Sequence, residues 1–157
     1  AYVLRRWRAS DAATLAELLG DPEVWRHLPE RFDGALDADM ASALIALAND
    51  DSRHEVRAIT HEGAPIGQIR LEYTPDGDAA ELSYWISRAH WGQGHAGRVV
   101  PDYVQAVVSR HPGLRRLTAR VRPENRASLR VLERAGFTPC APSSDTGGWQ
   151  HFERRQH

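Results

Sequence analysis

The feature that most constrains the fold is a change of hydrophobic period near residue 90. Apolar and polar side chains alternate in three short segments, which predicts antiparallel strands at 55–60, 66–73 and 80–87. A glycine-rich stretch follows, and valines then recur at helical spacing up to a stop at His111-Pro112-Gly113. The glycine loop therefore follows hairpins and does not lie inside a βαβ unit.

The segments on either side of this region add further predicted strands and helices. The other predicted elements are a strand at 2–7, helices at about 10–20 and 37–49, a strand at 117–121, a helix at 125–135 and, after a turn-rich stretch at 139–148, a strand at 149–155. Asp37 and Asn125 are the predicted N-caps of the helices at 37–49 and 125–135, and Gly136 is the predicted stop of the latter. In the second of these helices, Met40, Leu44 and Leu47 are expected to face the core. We therefore expect a single α+β domain over residues 1–157.

Composition disfavours several classes of protein. The 157 residues are 41% hydrophobic and 26% charged, which fits a globular chain. Lys plus Arg total 20 against 21 Asp plus Glu, so no basic field favours nucleic acid as a partner. Cys140 is the single cysteine, and neither a membrane-length apolar run nor a signal-peptide core is visible. We expect a cytoplasmic monomer or homodimer with no membrane partner.

The glycine-rich loop has the character of an anion site. Backbone N–H groups at the start of a helix lack partners and lie at the positive end of its dipole, and glycine lets a phosphate approach the main chain. A diphosphate suits such a loop. Glycine spacing alone is weak evidence, and the chain has no Gly-Lys-Ser/Thr sequence of a P-loop. A purely structural turn and another class of nucleotide-binding module stay open at this point.

Three separated segments narrow the choice. They are residues 3–12 with 21–24, Tyr84-Trp85-Ile86 with Trp91-Gly92-Gln93-Gly94-His95-Ala96, and Asn125-Arg126-Ala127-Ser128 with Leu132-Glu133-Arg134-Ala135-Gly136-Phe137. Together they resemble the GNAT superfamily of N-acetyltransferases, and specifically its branch of ribosomal-protein N-terminal acetyltransferases. The resemblance covers about residues 2–137.

The resemblance implies acetyl-coenzyme A as the cofactor. It also implies a mixed, mostly antiparallel sheet of about six to seven strands with about four helices, splayed so that pantetheine pairs with the main chain. The residues implied to bind pantetheine are Trp85, Ile86 and Ser87, and those implied to bind the pyrophosphate are Gly92, Gln93, Gly94, His95, Ala96 and Gly97. Arg98 replaces an acidic residue of the branch and is a candidate phosphate contact. Pro101 requires the helix to start near Gly97 or to kink.

The implied reaction is acetyl transfer to a primary amine. It needs a neutral amine on the thioester carbonyl, a donor for the oxyanion and a proton for the thiolate. No covalent enzyme intermediate is required, and the chain has no Gly-x-Ser-x-Gly elbow. Ser128 lies one turn after Asn125, so both can face the coenzyme, and in the branch the corresponding serine is thought to protonate the thiolate. Glu81 is the candidate base, because some relatives carry a carboxylate there.

Other polar residues have structural interpretations as well as functional ones. Tyr84 and Tyr103 are interpreted as core or wall residues. His90 and His95 flank the loop, where imidazole either aids anion binding or faces solvent. No histidine shows the spacing His-Glu-x-x-His, and we predict no metal.

Acidic and aromatic residues gather between the first two helices, where the resembling fold has its acceptor groove. They are Asp21, Glu23, Trp25, His27, Glu30, Phe32 and Asp33. Such groups suit a cationic amine, although a solvated loop carries the same charges. A protein N-terminus, a polyamine and an aminoglycoside stay open as acceptors. A noncatalytic sensor that binds coenzyme A is the alternative to an enzyme.

Overall fold

The strands of the protein pair into one sheet. The computed structural model describes residues 1–28, 36–140 and 148–156. The strands are β1 Tyr2–Arg5, β2 His54–His61, β3 Ala64–Tyr73, β4 Ala79–Ile86, β5 Arg116–Val121, β6 Thr138–Cys140 and β7 Gln150–Arg155. Their order is β1-β2-β3-β4-β5-β7-β6, and β4 and β5 are the parallel pair among otherwise antiparallel neighbours. This confirms the mixed, mostly antiparallel sheet.

Five α-helices accompany the sheet in the described part of the chain. They are α1 Ala12–Leu19, α2 Pro22–Trp25, α3 Ala38–Ala48, α4 His95–Arg110 and α5 Arg126–Arg134. Two predicted N-caps are confirmed, because the side chain of Asp37 accepts from the Met40 amide and that of Asn125 from the Ser128 amide. None of the helices in these ranges is long and apolar enough to span a bilayer.

The sheet separates two apolar clusters. On one face, α4 and α5 bury Val99, Val100, Val104 and Leu132 against strand residues such as Leu117. On the other face, the core residues of α1–α3 pack with two tryptophans. Trp7 lies between β1 and α1, Trp85 lies in β4, and their stacked rings have centroids 6.5 Å apart. Alternation along β4 explains the division, since Trp85 and Ile86 point to opposite faces. Helices therefore cover both faces of the sheet.

The elements differ from the expectations in three details. The buried positions of α3 are Ala41 and Ile45, whereas Met40 and Leu47 are 38% and 64% exposed. Nearly every residue of this helix is apolar, so the pattern does not select a face. The helix after the glycine loop begins at His95, two residues earlier than Gly97. Strand β6 lies at the start of the turn-rich stretch 139–148, where the sequence predicts no strand.

The sheet opens between its two parallel strands. Pairing of β4 with β5 runs from Ala79 with Arg116 to Leu82 with Ala119, and β4 then continues to Ile86 without further pairs to β5. The predicted splay is therefore present. It leaves a strand edge of β4 facing a cleft.

Candidate active site

A cavity of about 530 Å³ occupies the gap between β4 and β5. Its walls come from the open end of β4, the glycine loop, the first turn of α4, the end of β5 and α5. Predicted site residues on these walls are Trp85, Ile86, Gly92, Gly94, His95, Ala96, Gly97, Asn125 and Ser128. The fold thus brings the second and third family-like segments to one cleft, and the first segment contributes Val24 to its wall.

The glycine loop presents main-chain donors to this cleft. Gly92 and Gly94 have φ values of 75° and 79°, a region that favours glycine. Gly94 is the N-cap of α4 and supplies no side-chain hydrogen bond. The cap therefore gives no side-chain acceptor to the first N–H groups of α4, which lie at the positive end of a helix of 16 residues. This arrangement suits a diphosphate.

The His95 side chain lies beneath the loop in a hydrogen-bonded chain. Nδ1 of His95 is 2.6 Å from the hydroxyl of Tyr2, and Nε2 is 2.9 Å from Oε1 of Gln93. Arg98 donates to the same tyrosine hydroxyl at 3.1 Å. Burial, with His61, His90 and Arg98 nearby, lowers the pKa of His95. The imidazole is therefore a buried support of the loop, a role that spacing alone did not indicate.

The predicted pantetheine residues differ in the direction of their main-chain groups. The Ser87 amide donates to the carbonyl of Ile66 in β3 at 2.8 Å. The Trp85 carbonyl oxygen lies against Gly67 of β3, because a Cβ added to this glycine would be only 2.2 Å from that oxygen. These groups of Trp85 and Ser87 thus point toward β3. Because successive residues of a strand point to opposite neighbours, Ile86 lies on the open edge, where its carbonyl accepts from the Trp91 indole.

Ser128 lies in the first turn of α5 and contacts Tyr84, for which the sequence predicts a place in the core or the cavity wall. Its Oγ is 2.5 Å from the hydroxyl of Tyr84, which belongs to the open end of β4. Burial raises the pKa of Tyr84 to about 12 and outweighs the opposing effect of Ser128, so the phenol keeps its proton at neutral pH. Asn125 holds the start of the same helix. The cleft thus contains a protonated pair of hydroxyls.

Glu81 lies apart from this pair. Both of its carboxylate oxygens accept from Arg120, at 2.8 and 3.0 Å. Arg120 lines the cavity and Glu81 does not. The structure therefore does not bring Glu81 to Ser128, and its contact with the cavity runs through Arg120.

The acidic residues before α3 are largely engaged where they are described. Asp21 caps α2 and lies 3.5 Å from Arg88, and Glu23 pairs with Arg26 at 3.2 Å. His27 lines the cavity, and burial lowers its pKa. Glu30, Phe32 and Asp33 lie outside the described residues. Within the described ranges, no group of three or more His, Cys, Asp or Glu side chains is arranged to hold a metal.

Comparison with known proteins shows the family of this chain. The family model for the acetyltransferase (GNAT) domain matches residues 2–138. The chain belongs to the GNAT family. It is 28% identical over 140 residues to the uncharacterized N-acetyltransferase p20 of Bacillus licheniformis, an alignment that covers 85% of this chain and 77% of that protein.

Solved GNAT structures share the fold at low identity. RimJ of Mycobacterium smegmatis, in complex with a coenzyme A disulfide, superposes with a TM-score of 0.83 at 20% identity, covering 98% of this chain and 81% of that one. Spermidine N-acetyltransferase of Vibrio cholerae, with coenzyme A and spermine, gives 0.81 at 16% identity, covering 99% and 95%. As a GNAT protein, the chain is an N-acetyltransferase that uses acetyl-coenzyme A.

Proposed function

We propose that this GNAT protein transfers an acetyl group directly to a primary amine, without an acetylated enzyme intermediate. The observation that carries the proposal is the pair of hydroxyls of Ser128 and Tyr84 inside the cleft that opens between β4 and β5. Both groups are proton donors at neutral pH, and neither is paired with a base that would make it a nucleophile among the contacts of the described residues.

The residues around the cleft fit coenzyme A. The main-chain N–H groups of 92–97 would hold the pyrophosphate, with Arg98 as a charged neighbour close to Gly94. The open edge at Ile86 would pair with pantetheine, while Trp85 and Ser87 fix that edge to β3. His95 supports the loop through its hydrogen bond to the Gln93 side chain, and Asn125 closes the α5 side. The bound coenzyme supplies the acetyl group as an activated thioester.

Proton delivery is assigned to the α5 side of the cleft. Ser128 Oγ would donate its proton to the departing sulfur, the Tyr84 hydroxyl at 2.5 Å would replace it, and a proton from solvent, equal to the one that the attacking amine releases, would restore the phenol. Glu81 stays a proposal as the base. Its bidentate pair with Arg120 favours a different contribution, which is to hold that guanidinium against the cavity wall.

The acceptor is proposed to be a protein N-terminus, in line with the motifs of the RimJ/RimL-like branch. A polyamine or an aminoglycoside is the alternative within the same fold. Asp21 and Glu23 give little support for a polycation, because both already pair with arginines.

A panel of acceptors tests this proposal. Free thiol released from acetyl-coenzyme A is measured with peptides bearing free N-termini, with polyamines and with aminoglycosides, and N-acetylated peptides serve as the matched control. The proposal predicts turnover with free N-termini and none with blocked ones. Turnover with polyamines alone would identify a polyamine, and not a protein N-terminus, as the acceptor. Coenzyme binding without turnover on any amine would favour a sensor.

A further inference from the structure

A main-chain carbonyl in α4 lacks its usual donor. In an α-helix, the amide of each residue donates to the carbonyl four residues earlier. Pro101 lies inside α4 and has no N–H, so it cannot donate to the carbonyl of Gly97. Gly97 belongs to the first turn of this helix, which lines the cleft.

Arg134 supplies a donor to that carbonyl. It is the last residue of α5, and its Nη1 donates to the Gly97 oxygen at 3.3 Å. Glycine at position 97 leaves room for this approach, since a Cβ there would lie 2.8 Å from the same nitrogen. Val131 and Leu132 in the preceding turn of α5 pack into the core that α4 shares, which holds the two helices together.

We infer that Arg134 is a positioning residue for coenzyme binding, which replaces the N–H missing at Pro101 and so fixes the first turn of α4. The inference rests on the proposed binding of the pyrophosphate at that turn. It also links the two halves of the cleft, because the helix that carries Arg134 at its end carries Ser128 at its start.

A direct contact between Arg134 and the coenzyme phosphates is the competing explanation. Arg134 lines the cavity, as does Arg130 one turn earlier on α5. Loss of either charge would then weaken binding whatever residue stands at 101. The two explanations differ in one respect, namely whether the effect of Arg134 depends on proline.

The test is a double-mutant cycle read by calorimetric titration of coenzyme A. Arg134→Ala should weaken binding about fivefold, within the range of one hydrogen bond's net contribution. Pro101→Ala restores the backbone donor and favours the helix, so the same arginine substitution should then change the Kd by less than about twofold. Arg130→Ala is the matched control, since it removes an equal charge from the same helix and should act equally in both backgrounds.

A second readout needs no coenzyme. Amide hydrogen exchange in the first turns of α4 should accelerate in Arg134→Ala and return to the wild-type rate when Pro101→Ala is added. Equal loss of affinity in both backgrounds, or no loss in either, would overturn the inference. Failure of the wild-type protein to bind coenzyme A is a different result, which would contradict the proposed site itself.

Discussion

The hydroxyl of Tyr84 lies 2.5 Å from Oγ of Ser128, across the gap where the parallel strands separate. The contact joins the open end of β4 to the first turn of α5. Because burial raises the pKa of Tyr84 to about 12, the phenol keeps its proton at neutral pH, and either hydroxyl can donate to the other. The two residues are therefore expected to act as one unit.

Replacing Ser128 by alanine tests the proton-donor assignment. We expect kcat to fall about tenfold or more, the lower end of what a positioned proton transfer contributes, because a thiol is already a fair leaving group. The thermal midpoint and the affinity for acetyl-coenzyme A should stay near wild type. A wild-type rate, with chemistry shown to limit kcat, would mean that water protonates the thiolate.

Tyr84→Phe tests the second member of the pair. It should lower kcat in the same direction, and the double variant with Ser128→Ala should be little slower than the slower single variant, since both changes interrupt one path. Fully multiplicative losses in steady-state kinetics would show that the two hydroxyls act independently.

Gly94→Glu should abolish binding of coenzyme A, because it places bulk and negative charge where the diphosphate is proposed to lie. Gly77→Glu is the matched control. Gly77 has a similar φ, 76° against 79°, and open space around it in a distant turn, so the two variants carry the same backbone strain. Calorimetric titration should show unchanged affinity in the control. Equal binding by both variants would contradict the placement of the phosphate site at Gly94.

Asn125→Ala should reduce stability and coenzyme affinity together. The variant loses an N-cap, which costs about 1 kcal/mol, and a side chain on the cavity wall. Asp37→Ala removes a comparable cap from α3, away from the cleft, and should lower the thermal midpoint alone. If the two variants keep equal affinity for acetyl-coenzyme A, Asn125 is a cap and nothing more.

The buried carboxylate of Glu55 predicts the acid sensitivity of the fold. Burial raises its pKa, but hydrogen bonds from Arg110 and Tyr103 outweigh this effect and lower the pKa to about 2. A carboxyl with a depressed folded-state pKa contributes stability that is complete above its ordinary value of 4.5 and is lost as the pH falls toward 2.

Unfolding by urea between pH 2 and 6 measures this contribution. Glu55→Gln should flatten the dependence of the unfolding free energy on pH in that window. Glu72→Gln, whose carboxylate is half exposed on β3, should keep the wild-type slope. Indistinguishable slopes for all three proteins would contradict the assignment.

Much of the fold was predictable because its signals are local. Strand alternation, the caps Asp37 and Asn125 and the stop at Gly136 all depend on neighbouring residues, and the structure confirms them. The apolar face of α3 was not predictable. A helix with apolar residues on every side is oriented by its partners, and here α1 and β2 select Ala41 and Ile45.

The sequence predicts which segments form the site better than it predicts the contacts between them. The loop glycines and the Asn125 cap can be recognised in the sequence, because each depends on its own segment. The partners of Tyr84, His95 and Glu81 come from other elements, so their roles depend on how β4, β5 and α5 meet. Arg134 lay within a recognised motif, yet only the fold places it against Gly97.

The most direct test of the central claim follows thiol release and the mass of the intact protein together. The protein is mixed with acetyl-coenzyme A, with and without a free N-terminal peptide. Direct transfer predicts thiol release only with the peptide, an acetylated peptide as product, and an unchanged protein mass throughout. Release of thiol without the peptide, accompanied by an acetyl group on the protein, would contradict the account.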